Sequence, residues 1–164
     1  MKSCILDTSV CVDLHHGGLL ESVLQLGFTF VLPDVIIAEL TDPEGTLFVN
    51  LGYESMPLTG VEVARITVYQ AKYPKLSVKD IFALLCSMKV SGILLTGDSD
   101  LRDAGRNEKL EVHGVLWILD QLVDSEIMAS KEAKLALEQM LVNKARLPKS
   151  DCEIRLAKWG KGDE

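Results

Sequence analysis

Carboxylate side chains follow two apolar segments of the sequence at the point where each segment ends. Asp7 comes directly after the apolar residues 4–6, and Asp98 comes directly after residues 94–97. Short apolar runs of this kind predict strands that are covered on both faces. Because open parallel sheets form their sites at the carboxyl ends of the strands, we expect Asp7 and Asp98 to meet at one edge of a sheet.

Two further acids lie where they could reach that edge. Glu39 is near the end of a short predicted helix, and Asp80 stands three residues after Ser77 in a pattern that begins a helix. Four converging carboxylates repel one another unless a cation lies between them. Carboxylate and water oxygens favour Mg²⁺ or Mn²⁺, which can bind a phosphate oxygen, activate a water molecule and stabilise a leaving oxygen. Each acid could instead serve only as a helix cap, a turn residue or a solvated charge.

The spacing of apolar residues predicts an α/β fold with a central, mainly parallel sheet flanked by helices. Strands are predicted at residues 2–6, 28–32 and 93–96 and near 112, with helices between them. Residues 41–59 are the least regular part, and we expect a short strand at 47–50. Two further helices, at about 130–143 and 150–158, end the chain.

Composition and charge divide the 164-residue chain near residue 128. Residues 1–128 carry 9 basic and 18 acidic side chains, whereas residues 129–164 carry 8 and 6. This predicts a globular body (1–128) and a helical C-terminal tail (129–164). No apolar stretch reaches the ~20 residues of a membrane span, and the N-terminus lacks a secretory pattern, so we expect a cytoplasmic protein. The four cysteines have no CxxC spacing, which argues against a zinc site.

Four segments that contain these acids resemble, in order and separation, the motifs of the PIN domain. They are Ile-Leu-Asp-Thr-Ser (5–9), Val-Leu-Pro-Asp-Val-Ile-Ile-Ala-Glu-Leu (31–40), Leu-Ser-Val-Lys-Asp-Ile-Phe-Ala-Leu (76–84) and Leu-Leu-Thr-Gly-Asp-Ser-Asp-Leu (94–101). The resemblance extends from residue 3 to about 120. Residues 112–119 and the tail resemble a PIN-like subgroup, related to VapC-like ribonuclease toxins, that often accompanies small antitoxin-like genes.

The resemblance implies a Mg²⁺- or Mn²⁺-dependent endoribonuclease with adjacent first and fourth strands. It implies homodimerisation, an RNA substrate and the toxin role of a toxin–antitoxin pair, with a small antitoxin protein as partner. Asp7, Glu39, Asp80 and Asp98 would be catalytic, and the metal would be held by Asp7, Asp80 and Asp98. Residues with an accessory or RNA-contacting role would be Ser9, Asp100, Asp103, Lys79, Arg102 and Arg106. Asp100 and Asp103 compete with Asp98 for the fourth position, and the three cations could be merely solvated.

Two other functions remain compatible with the residues. Asp7 could be the covalent nucleophile of a phosphatase, although Ser9 stands where that chemistry usually has a second Asp. The chain could also be a non-catalytic PIN-like module that binds metal or RNA.

The mean hydropathy of +0.19 predicts an apolar patch, covered by a second copy of the chain through the helix at 60–73 and the tail. Trp159 in the tail is expected to pack on that partner protomer. The alternative is a monomer whose tail covers its own body.

Overall fold

A five-stranded sheet occupies the centre of the computed structural model, which describes residues 1–161. Its strands are β1 (Ser3–Leu6), β2 (Thr29–Pro33), β3 (Glu54–Met56), β4 (Ile93–Leu95) and β5 (Glu111–His113). They lie in the order β3-β2-β1-β4-β5, and all neighbouring pairs are parallel. The register places Cys4 of β1 opposite Phe30 of β2 and Ile93 of β4. The expected α/β class and the adjacency of the strands that precede Asp7 and Asp98 are confirmed.

Helices flank this sheet. Those of residues 1–161 are α1 (Thr8–His16), α2 (Leu20–Val23), α3 (Asp34–Glu39), α4 (Gly45–Leu51), α5 (Val61–Lys72), α6 (Val78–Val90), α7 (Ser99–Asn107), α8 (Val115–Asp124), α9 (Ser130–Val142) and α10 (Lys149–Lys161). Helix α6 packs against β1, β2 and β4, and α5 packs on α6. None of the helices in this described part of the chain combines the length and the apolar character needed to cross a bilayer.

The strand predicted at residues 47–50 is wrong, because these residues belong to α4. Phe48 is fully buried and Leu51 is half-buried, whereas the residues between them are exposed. A spacing of three residues between inward-facing side chains is helical and not the alternation of a strand. The chain forms its edge strand a few residues later, as β3.

The tail packs on the body of its own chain. Helix α9 contacts α1 and α8, and α10 packs along α9. Arg155 of α10 donates two hydrogen bonds, at 2.9 and 2.6 Å, to the carboxylate of Asp120 in α8. Trp159 is only 2% exposed within the single chain, so the expectation that it packs on a partner protomer is wrong. The sequence pattern could not distinguish the two, because either surface would bury the same indole ring.

Candidate functional site

Asp7 is held at the carboxyl ends of the two central strands. Its Oδ1 accepts a hydrogen bond from the backbone N–H of Thr8 at 2.8 Å, which begins α1. Its Oδ2 accepts a hydrogen bond from the Thr96 hydroxyl at 2.9 Å, and its own N–H donates to the Leu95 carbonyl at 3.0 Å. Thr96 is a positioning residue that sequence analysis missed, although a hydroxyl residue just before Gly97 and Asp98 is a usable signal.

Burial raises the pKa of the Asp7 carboxyl above its ordinary value. Asp7 is 6% exposed, and the loss of hydration is the largest cause of the shift. The hydrogen bond from Thr96 opposes the shift, whereas the negative charges of Asp80 and Asp98 add to it. Asp80 and Asp98 are therefore both close enough to Asp7 to repel its carboxylate. A cation among them would relieve both the burial cost and the repulsion.

Asp98 and Asp80 are each fixed at the start of a helix. Asp98 precedes α7, and its Oδ1 accepts a hydrogen bond from the Leu101 N–H at 2.9 Å. The Asp98 N–H donates to the Thr96 hydroxyl at 3.0 Å, so this one hydroxyl orders both strand-end acids. Asp80 and Ser77 form the predicted capping box at the start of α6, with hydrogen bonds of 2.9 and 3.2 Å. The local sequence thus fixes the position of all three acids.

Asp7, Asp80 and Asp98 line one cleft with a volume of about 680 Å³. Within residues 1–161, however, no three acidic, histidine or cysteine side chains are arranged closely enough to hold a metal ion as they stand. Each of the three carboxylates accepts a hydrogen bond from a backbone N–H at the start of a helix. The sequence predicts a cluster of metal ligands. In the structure the three carboxylates line the same cleft but do not yet form such a cluster.

Glu39, the fourth predicted acid, is absent from the lining of this cleft and forms an ion pair with Lys79. Its Oε2 lies 2.7 Å from the Lys79 Nζ, and its side chain is 49% exposed. The hydrogen bond to Glu39 is the main cause that raises the pKa of Lys79, and the charges of Asp7 and Asp80 contribute. Lys79 itself lines the cleft, so Glu39 reaches the site by positioning this ammonium group.

The remaining predicted residues divide among three places. Ser9 lines the cleft, and its hydroxyl accepts a hydrogen bond from the Gly97 N–H at 3.3 Å. Asp100 and Asp103 line a separate groove beside Tyr73 and Pro74, so the structure does not bring them together with Asp7. The rotation of α7 explains this, since Asp98 precedes the helix whereas Asp100 and Asp103 point from another face of it. The cations Arg102 and Arg106 line a cavity next to the cleft.

The donor atoms of the cleft fit a hard divalent cation. Among the described residues, its lining offers carboxylates together with the hydroxyls of Thr8, Ser9, Ser77 and Ser99, and it includes neither His nor Cys. Oxygen-only sites suit Mg²⁺ and Mn²⁺ better than zinc or copper. Such a cation would be favourable here because Asp7 is buried and is repelled by Asp80 and Asp98.

Asp13 is a further acid of the cleft that sequence analysis missed. It projects from α1 and lines both the cleft and the neighbouring cavity. Burial raises the pKa of its carboxyl from 3.8 to about 6, with a small opposing effect of His16. Its position depends on the packing of α1 against the tail, which a short polar residue in a helical pattern does not reveal.

Replacing Asp13 with asparagine is expected to stabilise the protein at neutral pH. A carboxyl whose pKa is raised on folding contributes stability below pH 4, and this contribution is lost as the pH rises through about 6. Because solvent partly screens the group, we expect the gain from Asp13→Asn to be about 1 kcal/mol larger at pH 7.5 than at pH 4.5. Urea unfolding in the presence of a chelator measures it, with the exposed Asp124→Asn as control. A gain that is equal at both pH values would contradict the assignment.

Comparisons with known proteins agree with the fold. The family model described as "DUF3368: PIN domain" matches residues 3–161. Among solved structures, the chain is similar to a PilT N-terminus domain protein from the archaeon Sulfolobus solfataricus, with a TM-score of 0.51 and 12% sequence identity over 75% of this chain and 92% of that one. At this identity the likeness concerns the fold alone. A search of curated proteins gives no match.

Proposed function

Because this chain belongs to the PIN-domain family, a nuclease-type fold, we propose that it is a divalent-metal-dependent endoribonuclease. One observation carries the proposal: three carboxylates, from the ends of β1 and β4 and the first turn of α6, line a single cleft, and burial, with a smaller contribution from the charges of Asp80 and Asp98, raises the pKa of Asp7. A buried carboxylate near two other acids lowers the stability of the metal-free protein, but it favours the binding of a cation.

Asp7, Asp80 and Asp98 would hold the metal, for which we propose Mg²⁺ or Mn²⁺. When bound, such an ion supplies Lewis-acid polarisation of a phosphate and a more acidic bound water. The Thr96 hydroxyl fixes the two strand-end acids relative to each other, because it donates a hydrogen bond to the Asp7 carboxylate and accepts one from the Asp98 N–H. Lys79, held by Glu39, adds a positive charge at the rim of the cleft, where it can bind a phosphate of the RNA. Glu39 thereby acts as a positioning residue.

A non-catalytic PIN-like binding module is the second candidate, and one observation favours it. Among residues 1–161 no group of carboxylates forms a ready set of metal ligands, and Asp7, Asp80 and Asp98 each accept a hydrogen bond at the start of a helix. Cleavage of a generic single-stranded RNA, with and without added Mg²⁺ or Mn²⁺, separates the two functions. The ribonuclease cuts the RNA only with the ion, whereas the binding module leaves it intact in both cases.

We further propose that the protein acts in the cytoplasm as the toxin of a toxin–antitoxin pair. The support is the sequence resemblance to the PIN-like subgroup together with the acidic cleft. A small antitoxin protein could block this cleft with a basic side chain, for which an arginine is chemically suited.

A homodimer is proposed because α5 leaves an apolar face uncovered. Val61 is 74% exposed and Val68 is 63% exposed, and both lie on the same side of the helix as the exposed Ala64. Large contiguous apolar patches are unusual on monomers and often mark an interface. A two-fold axis would let α5 pack on its copy.

We expect light scattering at micromolar concentration to give about twice the chain mass of 18.0 kDa. The double variant Val61→Glu, Val68→Glu should shift the mass to that of one chain, since charges would be buried at the interface. The matched control is Leu135→Glu, which changes an exposed apolar residue of α9. A wild-type mass near 18 kDa would rule out the dimer.

A further inference from the structure

A second cavity lies between the body and the tail. Its volume is about 580 Å³, and its walls come from α1, the turn after β4, α7, the turn between β5 and α8, the connection between α9 and α10, and the first half of α10. The charged residues of the lining are mainly basic, with four arginines, Arg102, Arg106, Arg146 and Arg155, and two acids, Asp13 and Asp151. In a chain with a net charge of −7, this concentration of guanidinium groups is unexpected.

Three of the four arginines are available to bind an anion. Arg155 is engaged, because its guanidinium binds the Asp120 carboxylate and the Asp151 carbonyl. No ion pair of residues 1–161 involves the other three, Arg102, Arg106 and Arg146. Arg102 and Arg106 lie four residues apart and so occupy the same face of α7.

The cavity and the carboxylate cleft share a wall. Asp13, Gly97, Ser99 and Arg146 line both of them. A single RNA strand with one phosphate beside Asp7, Asp80 and Asp98 can therefore continue past Arg146 into the cavity. The tail completes this path, since Arg146 lies in the connection between α9 and α10.

We propose that this cavity binds the phosphates of single-stranded RNA next to the phosphate in the carboxylate cleft, with Arg102, Arg106 and Arg146 as the contacts. Guanidinium groups bind phosphate oxygens in pairs, which gives both strength and direction. A cavity of about 580 Å³ has the size of a small-ligand site and does not enclose a double helix. The inference rests on the proposed function for the choice of RNA as ligand. It also gives the tail a role, because Arg146 is the one of these arginines that lines both the cavity and the cleft.

The test measures binding without cleavage. A fluorescent single-stranded RNA of mixed sequence is titrated with the full chain in EDTA, and the Kd is followed by anisotropy at several KCl concentrations. Arg102→Gln and Arg146→Gln should each weaken binding roughly tenfold and reduce the salt dependence by about one phosphate contact. The control Lys131→Gln removes the same charge near the start of α9, about 16 Å from the end of the helix that leads to Arg146, and should leave the Kd near wild type.

The outcomes separate this inference from the proposed ribonuclease. If RNA is never cut but the two arginine variants lose affinity, the cavity is an RNA site in a binding module, and the inference stands. If the arginine variants bind like the wild type, or no more weakly than Lys131→Gln, the inference is overturned even when the RNA is cut. Equal binding of a blunt double-stranded RNA, with the same loss in the arginine variants, would overturn the preference for a single strand. Thermal melting of each variant shows whether a loss of affinity comes from unfolding.

Discussion

Replacing Asp98 with asparagine is expected to lower the rate of RNA cleavage by at least about 100-fold. This loss is larger than the one typical of residues that only hydrogen-bond to a metal ligand. The amide keeps an oxygen that can accept the hydrogen bond of the Leu101 N–H, so α7 should still begin at the same place. What is lost is a negative charge in the cleft and with it affinity for a divalent cation. Asp7→Asn should cause a similar loss of cleavage and also raise the thermal stability of the metal-free protein, because a buried and repelled carboxylate is removed.

The matched control for these variants is Asp103→Asn. Asp103 lies on α7 but lines the groove beside Tyr73 and Pro74, so the same change of charge occurs outside the cleft. Initial cleavage rates in Mn²⁺ should therefore be close to wild type for Asp103→Asn. Glu39→Gln should show an intermediate rate, since it weakens only the ion pair that holds Lys79. Wild-type activity in purified Asp98→Asn or Asp7→Asn would remove these residues from the site.

The strand-end acids could be predicted from the sequence because their signal is local. An apolar run that stops at an acid specifies both the end of a strand and the edge at which the side chain lies, as for Asp7 and Asp98. The pair Ser77 and Asp80 is equally local, and its capping box formed as predicted. The parallel order of the sheet then followed from the alternation of strands and helices.

The contacts that the sequence did not reveal depend on long-range packing. The pairing of Glu39 with Lys79 joins α3 to α6, which are neighbours only in the folded chain. Asp13 shares a wall with Arg146 because the tail folds back over α1. In residues 41–59, prolines and glycines weaken every local pattern, so the sequence predicts a strand where the structure has the helix that contains Phe48. Such errors arise where tertiary contacts decide between weak local preferences.

Removal of divalent metal is expected to abolish cleavage completely. The cleft is lined by four carboxylates, those of Asp7, Asp13, Asp80 and Asp98, and its cation nearest to Asp7 and Asp80 in sequence, Lys79, is already paired with Glu39. The acids at the strand ends therefore need a bound cation before they can accept a scissile phosphate. Without a cation the carboxylates repel the scissile phosphate, so that RNA held by the neighbouring arginines is not cut. Added Mg²⁺ or Mn²⁺ should restore the activity, whereas zinc should not be required, because the lining has no His or Cys among the described residues.

The most direct measurement is cleavage of a generic single-stranded RNA by EDTA-treated protein as a function of added Mn²⁺ or Mg²⁺, with Asp98→Asn run in parallel. The proposed function predicts no cleavage by the treated wild type, a saturable recovery as the ion is added, and at most a trace of recovery in Asp98→Asn at the same concentrations. Cleavage that persists after exhaustive chelation would contradict it, as would a recovery that is identical in wild type and Asp98→Asn.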